Sequence, residues 1–166
     1  MPLPFVDPER HTSAFNRVMT KFARSGAGKY LAQHVAARTD PWLMRISNGK
    51  VSWGMFAVPS ATLTTTGAKS GQPRDAQVSY FHDGSDVIAV ASNFGGSKHP
   101  SWYHNLVAHP ECELGGENFR ASEVTDPDEY ARLYGLAERS YPGYADYRAA
   151  TEAVGRRIPV LRLSPR

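Results

Sequence analysis

Short runs of hydrophobic and polar residues follow one another along the chain after residue 60, with turn residues between them. Runs of this length that are rich in β-branched and aromatic residues favour strands. They cover residues 61–66, 76–81, 87–92, 111–114, 119–125 and 158–163. Asp83-Gly84 and Gly115-Gly116 each lie between two neighbouring runs, so they predict two hairpins.

Helical signals interrupt these strands in three places. Pro100 suits a first helical position ahead of a helix at 102–108, and the sequence Asp126-Pro127-Asp128-Glu129 resembles a capping box with proline at the first helical position. A third helix is expected over 144–156. Many short strands with a few helices predict an α+β, mainly β fold, which is an antiparallel barrel with flanking helices.

Another apolar stripe lies near the start of the chain, where Phe15, Val18, Met19 and Phe22 recur at helical spacing. Basic residues lie off this stripe, with no acid among them. The segment 12–25 therefore has two interpretations: contact with an anionic membrane surface, or packing on the barrel.

Length and composition place the chain among globular proteins. Its 166 residues fit a single domain, 1–166, with a basic amphipathic helical segment at 1–40 and a barrel core at 41–166. The single cysteine, Cys112, excludes an internal disulfide, and no apolar run approaches the ~18 residues of a membrane span. We expect a cytoplasmic protein, at most peripheral to the inner face of the cell membrane.

The charge is unevenly distributed along the chain. Residues 1–60 carry eight Lys and Arg against three Asp and Glu, and the rest carry eleven against thirteen. A basic segment favours an anionic partner. Nucleic acid is not expected, because zinc-finger spacing, an RNA-recognition signature and a long basic run are lacking. No metal site is expected either, because the histidines show no ligand spacing with Cys112.

The stretch 63–74 ends a strand in three threonines and continues as a glycine-bounded loop. Lys69 supplies a point charge, Arg74 supplies a planar two-pronged donor, and Ser70 and Gly71 lie between them. Successive backbone N–H groups of such a loop can form an anion-binding concavity, although the spacing is not that of a Walker loop. Two interpretations remain open: a phosphate site and a basic, solvated hairpin loop.

The stretch 91–103 runs from a strand end through a Gly-Gly turn into a helix N-terminus, where free N–H groups attract anions. Its candidate ligand-binding residues are Ser92, Asn93, Gly95 and Lys98. The alternative is an ordinary strand-to-helix turn with Trp102 in the core.

Tyrosines recur three apart at Tyr141, Tyr144 and Tyr147, so they fall on one arc of a helix. An aromatic stripe at this spacing is typical of a core. The alternative is a pocket with a polar tip, because buried tyrosine hydroxyls require hydrogen-bond partners.

Together, the two loops, the tyrosine segment and Ile158-Pro159-Val160 resemble the deazaflavin-dependent nitroreductase family in order and separation. The resemblance covers roughly residues 40–166 and implies a split β-barrel. It also implies coenzyme F420, an 8-hydroxy-5-deazaflavin with a phospholactyl-oligoglutamate tail. Members of that family pass hydride to quinones, nitroimidazoles or activated double bonds.

Position by position, the resemblance implies that Lys69 and Arg74 hold the tail phosphate and that the tyrosines line the acceptor site. The implied cofactor-binding residues are Lys69, Ser70, Gly71, Arg74, Ala76, Ser92, Asn93, Gly95, Lys98 and Trp102. The catalytic candidates are Tyr141, Tyr144, Tyr147 and Ser92. A tyrosine is the better proton donor, because its ordinary pKa is about 10 and serine alone is a poor acid.

The sequence departs from the family pattern at two positions. Ala68 stands where a second basic residue is common, which predicts weaker binding of the tail. Ser79 stands where an aromatic residue is often found beside the deazaflavin ring, which predicts a changed ring contact and substrate range.

Three functions remain open at this point. The first is an F420-dependent reductase of a small hydrophobic acceptor, such as a quinone, a nitroaromatic, a nitroimidazole or an activated enone. The second is a split-barrel enzyme that uses FMN, which is the less expected cofactor. The third is a non-enzymatic barrel that carries a lipid, haem or deazaflavin, since a fold does not determine a function. By analogy with other split barrels, a homodimer is expected.

Overall fold

The computed structural model describes residues 3–9 and 59–166. The amphipathic stripe predicted at 12–25 lies outside the described residues, as does the start of the predicted barrel core at 41–58. Over the described part, the chain contains six strands, three α-helices and one short 3-10 helix.

Six antiparallel strands form the framework of the molecule. They are β1 (Ser60–Thr66), β2 (Pro73–Asp83), β3 (Asp86–Val90), β4 (Glu111–Leu114), β5 (Glu117–Glu123) and β6 (Val160–Pro165). They close into a barrel in the order β1-β2-β3-β6-β5-β4, and β4 pairs back to β1. The predicted antiparallel barrel with flanking helices is confirmed.

Both predicted hairpins are present, between β2 and β3 and between β4 and β5. In the second, Gly115 and Gly116 have φ angles of 59° and 93°. A two-residue hairpin turn of this hand needs positive φ at both positions, which glycine adopts without steric cost. The last strand begins at Val160 instead of the predicted 158. Pro159 precedes it and has no N–H to donate to a ladder.

Three helices flank the barrel: α1 (Ser101–Ala108), α2 (Pro127–Ser140) and α3 (Gly143–Glu152). The start of α2 is as predicted, because the carboxylate of Asp126 accepts a hydrogen bond of 2.8 Å from the N–H of Glu129. Pro100 is the N-cap residue of α1 and not its first helical residue. The end of α3 was predicted at 156, but Gly155 with φ +68° turns the chain away from the helix.

Aliphatic side chains fill the barrel, and the helices close over its surface. The largest fully buried aliphatic residues are Leu63, Ile88, Leu114, Leu133, Ile158 and Leu163. Tyr134 of α2 is also fully buried, and its hydroxyl donates to the carbonyl of Tyr144 at 2.9 Å, which holds α3 against α2. Arg162 forms ion pairs with Asp83, Asp86 and Glu129, which attach α2 to one end of the barrel.

The segment 3–9 lies against the barrel. The N–H of Val6 donates to Nδ1 of His82 at 3.0 Å, and the N–H of His82 donates to the carbonyl of Val6 at 2.8 Å. Phe5 packs on the His82 ring at 4.6 Å while remaining 69% exposed. Within the described part of the chain, no helix combines the length and apolar character required to cross a membrane.

Candidate cofactor and acceptor site

An open groove of about 680 Å³ lies between the β1–β2 loop and α1. Its lining includes Lys69, Ser70, Arg74, Ala76 and Trp102, all of which were predicted to bind the cofactor. Four of them lie in or beside the β1–β2 loop, and the fold brings Trp102 of α1 to the same groove. The structure therefore unites half of the predicted cofactor-binding residues in one groove.

Local hydrogen bonds shape the β1–β2 loop, which we call the anion loop (residues 67–72). The N–H of Gly67 donates to the carbonyl of Gln72 at 2.9 Å, and the N–H of Gly71 donates to the carbonyl of Gly67 at 2.8 Å. Gly71 has φ +64°, and a Cβ at Gly67 would lie 2.6 Å from Oγ of Ser70. The loop is thus tightly folded: a side chain at Gly67 would require Ser70 to move, and one at Gly71 would be strained by the positive φ.

A buried asparagine of α1 holds the anion loop in place. Oδ1 of Asn105 accepts from the N–H of Ala68 at 3.0 Å, and its Nδ2 donates to Oγ1 of Thr65 at 2.9 Å. Asn105 is only 8% exposed, so the loss of these bonds would leave buried polar groups unpaired. No sequence pattern singles out Asn105. The one sign of its burial is its position next to Leu106 on the buried side of the helix.

Positive charge predominates in the groove. Lys69 and Arg74 are both exposed, and His104 of α1 also lines the groove. Asp75 is the acidic residue in the lining, and its Oδ1 accepts from Oγ1 of Thr64 at 2.8 Å. This donor set suits a phosphate or carboxylate ligand.

The second predicted loop lies away from the groove lining and packs on α3. We call it the arginine-held loop (residues 92–96), and it includes the short 3-10 helix Asn93–Gly95. A Cβ at Gly95 would lie 3.2 Å from Cα of Tyr147, so the loop and α3 are in close contact. Ser92, Asn93 and Gly95 all belong to this loop. Lys98 follows it, exposed, and its carbonyl accepts from Nδ2 of Asn93 at 2.9 Å.

Arg156 holds this loop from beneath. Its guanidinium donates to the carbonyls of Ala91 (2.7 Å), Ser92 (3.0 Å) and Gly96 (2.6 Å), and its Nε donates to Nδ1 of His99 at 3.0 Å. The residue is 8% exposed, and burial lowers its pKa. The sequence gives no sign that Arg156 is buried, because Arg156 stands beside Arg157 at the end of a predicted helix.

His99 is the fourth acceptor of Arg156. Since its Nδ1 accepts a hydrogen bond from a cation, the ring must be neutral at that nitrogen. Burial lowers the His99 pKa, and the nearby charges of Arg156 and His104 lower it further, while Glu123 opposes them.

The three predicted tyrosines form one cluster. The ring centroids of Tyr141, Tyr144 and Tyr147 lie 5.8 to 6.3 Å apart. Burial raises the pKa of Tyr144 to about 12, and hydrogen bonding with Ser79 opposes this shift. Burial also raises the pKa of Tyr147, and Tyr141 adds to the effect. All the resolved shifts keep these phenols protonated at neutral pH.

Strand β2 connects the groove to the tyrosine cluster. Ala76 lines the groove, and Ser79, three residues further along β2, interacts with Tyr144. Three residues of extended chain span about 10 Å. In the described ranges, no cluster of three or more His, Cys, Asp or Glu residues is arranged to hold a metal ion.

The closed antiparallel barrel with flanking helices agrees with the split-barrel fold of F420-dependent reductases. The model of the F420H(2)-dependent quinone reductase family matches residues 36–165, and the chain belongs to that family. The predicted split-barrel fold, the F420 cofactor and the assignment as an F420H2-dependent reductase are confirmed.

Individual relatives agree with this assignment. An F420H(2)-dependent quinone reductase of Mycobacterium tuberculosis is 36% identical over 149 residues, which cover 83% of this chain and 97% of the relative. The solved structure of an F420-H2 dependent reductase (FDR-A) is 35% identical, with a TM-score of 0.55, and the match covers 64% of this chain and 94% of that one. A structure described as a domain-swapped dimer is 31% identical, with a TM-score of 0.56, and covers 77% and 98%.

Proposed function

We propose that this protein reduces a quinone with F420H2, and that the cofactor tail binds in the groove while the acceptor binds at the tyrosine cluster. The observation that carries the proposal is the groove itself, which the cationic anion loop and Trp102 of α1 line together. Strand β2 continues from this groove to Ser79, which interacts with Tyr144 of the tyrosine cluster.

The residues in the groove fit the tail of this cofactor. Arg74 offers a planar fork to a phosphate, and Lys69 and Ser70 add a mobile charge and a hydroxyl. The N–H groups of Gly67, Ala68, Gly71 and Gln72 donate within the protein, so the side chains supply most of the donors for an anion. Asp75, which accepts a hydrogen bond from Thr64, is outnumbered by Lys69 and Arg74 in the lining, so positive charge is in excess.

The reduced deazaflavin, when bound, supplies the hydride, and the protein orients the acceptor and handles the proton. Ala76, Trp102 and the arginine-held loop with Ser92, Asn93 and Gly95 are proposed to lie along the cofactor. Lys98 is proposed to contribute charge beside them. The described residues thus divide into a set that binds the tail and a set that borders the ring.

Negative charge develops on a quinone oxygen as hydride arrives. A hydrogen-bond donor at that oxygen stabilises the charge and lowers the activation barrier. Tyr144 and Tyr147 are the proposed donors, because they lie on α3, whereas Tyr141 precedes Pro142 in the turn between α2 and α3. Both phenols are protonated at neutral pH and can donate a hydrogen bond. Ser92 is proposed as an orienting hydroxyl. Tyr141 packs against both other rings and is proposed to shape the pocket.

Single-turnover oxidation of F420H2 by a naphthoquinone, followed by deazaflavin absorbance, tests this function. Tyr144→Phe or Tyr147→Phe is expected to slow the reaction by about 10²–10⁴-fold if that tyrosine donates the proton. Cofactor affinity should stay within about threefold. Wild-type rates in both Phe variants and in Ser92→Ala would show that these hydroxyls take no part. Tighter binding of FMN than of F420 would contradict the proposal as a whole.

Two further features of the assembly are proposed. A homodimer is supported by the relative that is described as a domain-swapped dimer, and light scattering would test it.

Contact of residues 12–25 with an anionic membrane would bring the protein to lipid-soluble quinones. Vesicle co-sedimentation that is unchanged after deletion of residues 1–25 would contradict the membrane contact.

A further inference from the structure

Phe94 stands at the tip of the arginine-held loop in an unfavourable backbone conformation. Its φ and ψ are 53° and 30°, and Asn93 before it has φ 49°. The left-handed region brings Cβ close to the next carbonyl, so a bulky side chain rarely occupies it. Asn93 tolerates this region better than most residues, so the strain lies mainly at Phe94.

The surroundings of Phe94 maintain this strain. Arg156 binds the carbonyls of Ser92 and Gly96, one on each side of the tip. Nδ2 of Asn93 donates to the carbonyl of Lys98 at 2.9 Å, which closes the turn. The loop is therefore fixed at both ends and at its base, so the strained tip is a built feature of the fold.

This backbone conformation places the Phe94 ring on the outside of the molecule. The ring is 79% exposed, yet its centroid lies 6.2 Å from that of Tyr147 in an edge-to-face arrangement. An exposed aromatic ring gains little stability from burial, so stability does not account for the strain. Strain that persists without a gain in stability is a feature of ligand-binding positions.

We propose that Phe94 forms a wall of the acceptor site and sets its preference for flat, aromatic acceptors. The inference rests on the proposed function, which places the acceptor at the tyrosine cluster. The ring meets Tyr147 in an edge-to-face arrangement and is 79% exposed, so most of its surface remains available to a fused quinone ring. Phe94 is not part of the groove lining around Lys69 and Arg74, so its role concerns the acceptor and not the tail.

The test compares steady-state reduction of 2-methyl-1,4-naphthoquinone and of unsubstituted benzoquinone by the F420H2-loaded protein. Phe94→Ala is expected to raise KM for the naphthoquinone about tenfold, with a smaller rise for benzoquinone, which has one ring to stack. The value of kcat and the Kd for F420 should stay within about twofold. Phe94→Trp should retain the wild-type KM, because it restores an aromatic wall.

Phe94→Gly adds a second readout. It removes the ring as Phe94→Ala does, but glycine adopts the left-handed conformation without strain. We expect the same rise in KM as in Phe94→Ala, together with a Tm about 2–4 °C higher than that of Phe94→Ala. The control is Phe5→Ala, which removes a ring that is 69% exposed and lies on His82, and it should leave KM unchanged.

The outcomes separate the two proposals. If the wild-type protein oxidises F420H2 with neither quinone, the proposed function fails. If the wild type is active and Phe94→Ala keeps its KM, the inference about Phe94 fails alone. A weaker Kd for F420 with unchanged KM would place the ring against the cofactor, and an equal rise in KM for Phe5→Ala would indicate nonspecific adsorption. Either result overturns the proposal.

Discussion

The two loops at the candidate site are built in opposite ways. The anion loop is held by its own backbone bonds from Gly67 and Gly71, with one clamp from Asn105. The arginine-held loop depends on Arg156, about sixty positions further along the chain, which binds the carbonyls of Ser92 and Gly96 in the loop and that of Ala91 just before it. The first loop follows from local sequence, and the second exists because the whole barrel brings a cation to it.

The energetic balance differs accordingly. Glycine removes the steric cost of the positive φ in the anion loop. In the arginine-held loop, Phe94 costs about 1–2 kcal/mol in the left-handed region, whereas Asn93 tolerates that region better. Charge-assisted hydrogen bonds contribute about 1.5–3 kcal/mol each, so the contacts of Arg156 are sufficient to offset that cost. Removal of Arg156 should therefore destabilise the arginine-held loop more than removal of Asn105 destabilises the anion loop.

Arg156→Ala is expected to have the largest effect. It leaves the carbonyls of Ala91 and Gly96 without the Arg156 donor and that of Ser92 with the N–H of Gly95 alone, so the free energy of unfolding should fall by about 3–5 kcal/mol in urea denaturation. The neighbouring Arg157 is a matched control, because it is exposed and lies 3.9 Å above the Tyr130 ring. Arg157→Ala should cost about 1 kcal/mol or less. Equal losses in the two variants would contradict the role of Arg156.

Arg74→Ala probes the anion loop through its ligand. The loss of a bidentate phosphate contact should weaken F420 binding by about 1.5–3 kcal/mol in calorimetry, and Lys69→Ala should cost less, because lysine makes a single flexible contact. Both side chains are exposed, so the unfolding free energy of the ligand-free protein should hardly change. Wild-type affinity in both variants would remove the phosphate from this groove.

How far the sequence predicts this molecule depends on the range of the interactions involved. The strands and hairpins follow from local alternation and from Gly115 and Gly116, and the start of α2 follows from Asp126. The cationic residues of the anion loop are likewise visible in one short stretch. These features are determined by neighbours in the chain, so pattern alone identifies them.

The remaining features are set by tertiary contacts. The predicted helix over 144–156 would make Arg156 an exposed helical residue, but Gly155 turns the chain so that Arg156 points inward. Asn105 is likewise not identifiable from local sequence, because its partners Thr65 and Ala68 lie about forty residues earlier in the chain. The strain at Phe94 has no pattern in the sequence at all, because it follows from what the barrel places around it.

Asn105→Ala is expected to have an intermediate effect that links stability and ligand binding. It leaves the N–H of Ala68 without its acceptor and the hydroxyl of Thr65 with only its bond of 3.3 Å to the carbonyl of Arg74, at a cost of about 1–2 kcal/mol in unfolding free energy. The anion loop should then bind F420 less tightly even though both cationic side chains remain. Asn105→Asp gives a sharper version, since its carboxylate keeps the acceptor for Ala68 but adds negative charge to the groove. Unchanged F420 affinity in both variants would show that the anion loop keeps its position without Asn105.

The smallest expected effect is a pH dependence that comes from His99. Its pKa in the folded protein is lowered below the ordinary 6.5, so the unfolded chain binds this proton at a higher pH than the folded chain does. The stability that His99 contributes is therefore fully present above pH 6.5 and is lost as the pH falls from there through the folded pKa. The groups that face His99 are Arg156, His104, Tyr103 and Glu123.

The matched variant for this prediction is His99→Asn, whose side-chain oxygen can accept from Nε of Arg156 without titrating. Urea unfolding of both proteins at about pH 7.5 and about pH 5.5 then separates His99 from every other titrating group. The wild type should lose more stability than the variant on acidification. Because the ring is partly exposed, we expect this difference to be smaller than the effects of Arg156→Ala and Asn105→Ala. Parallel losses in the two proteins would mean that Arg156 keeps the arginine-held loop in place without its fourth acceptor.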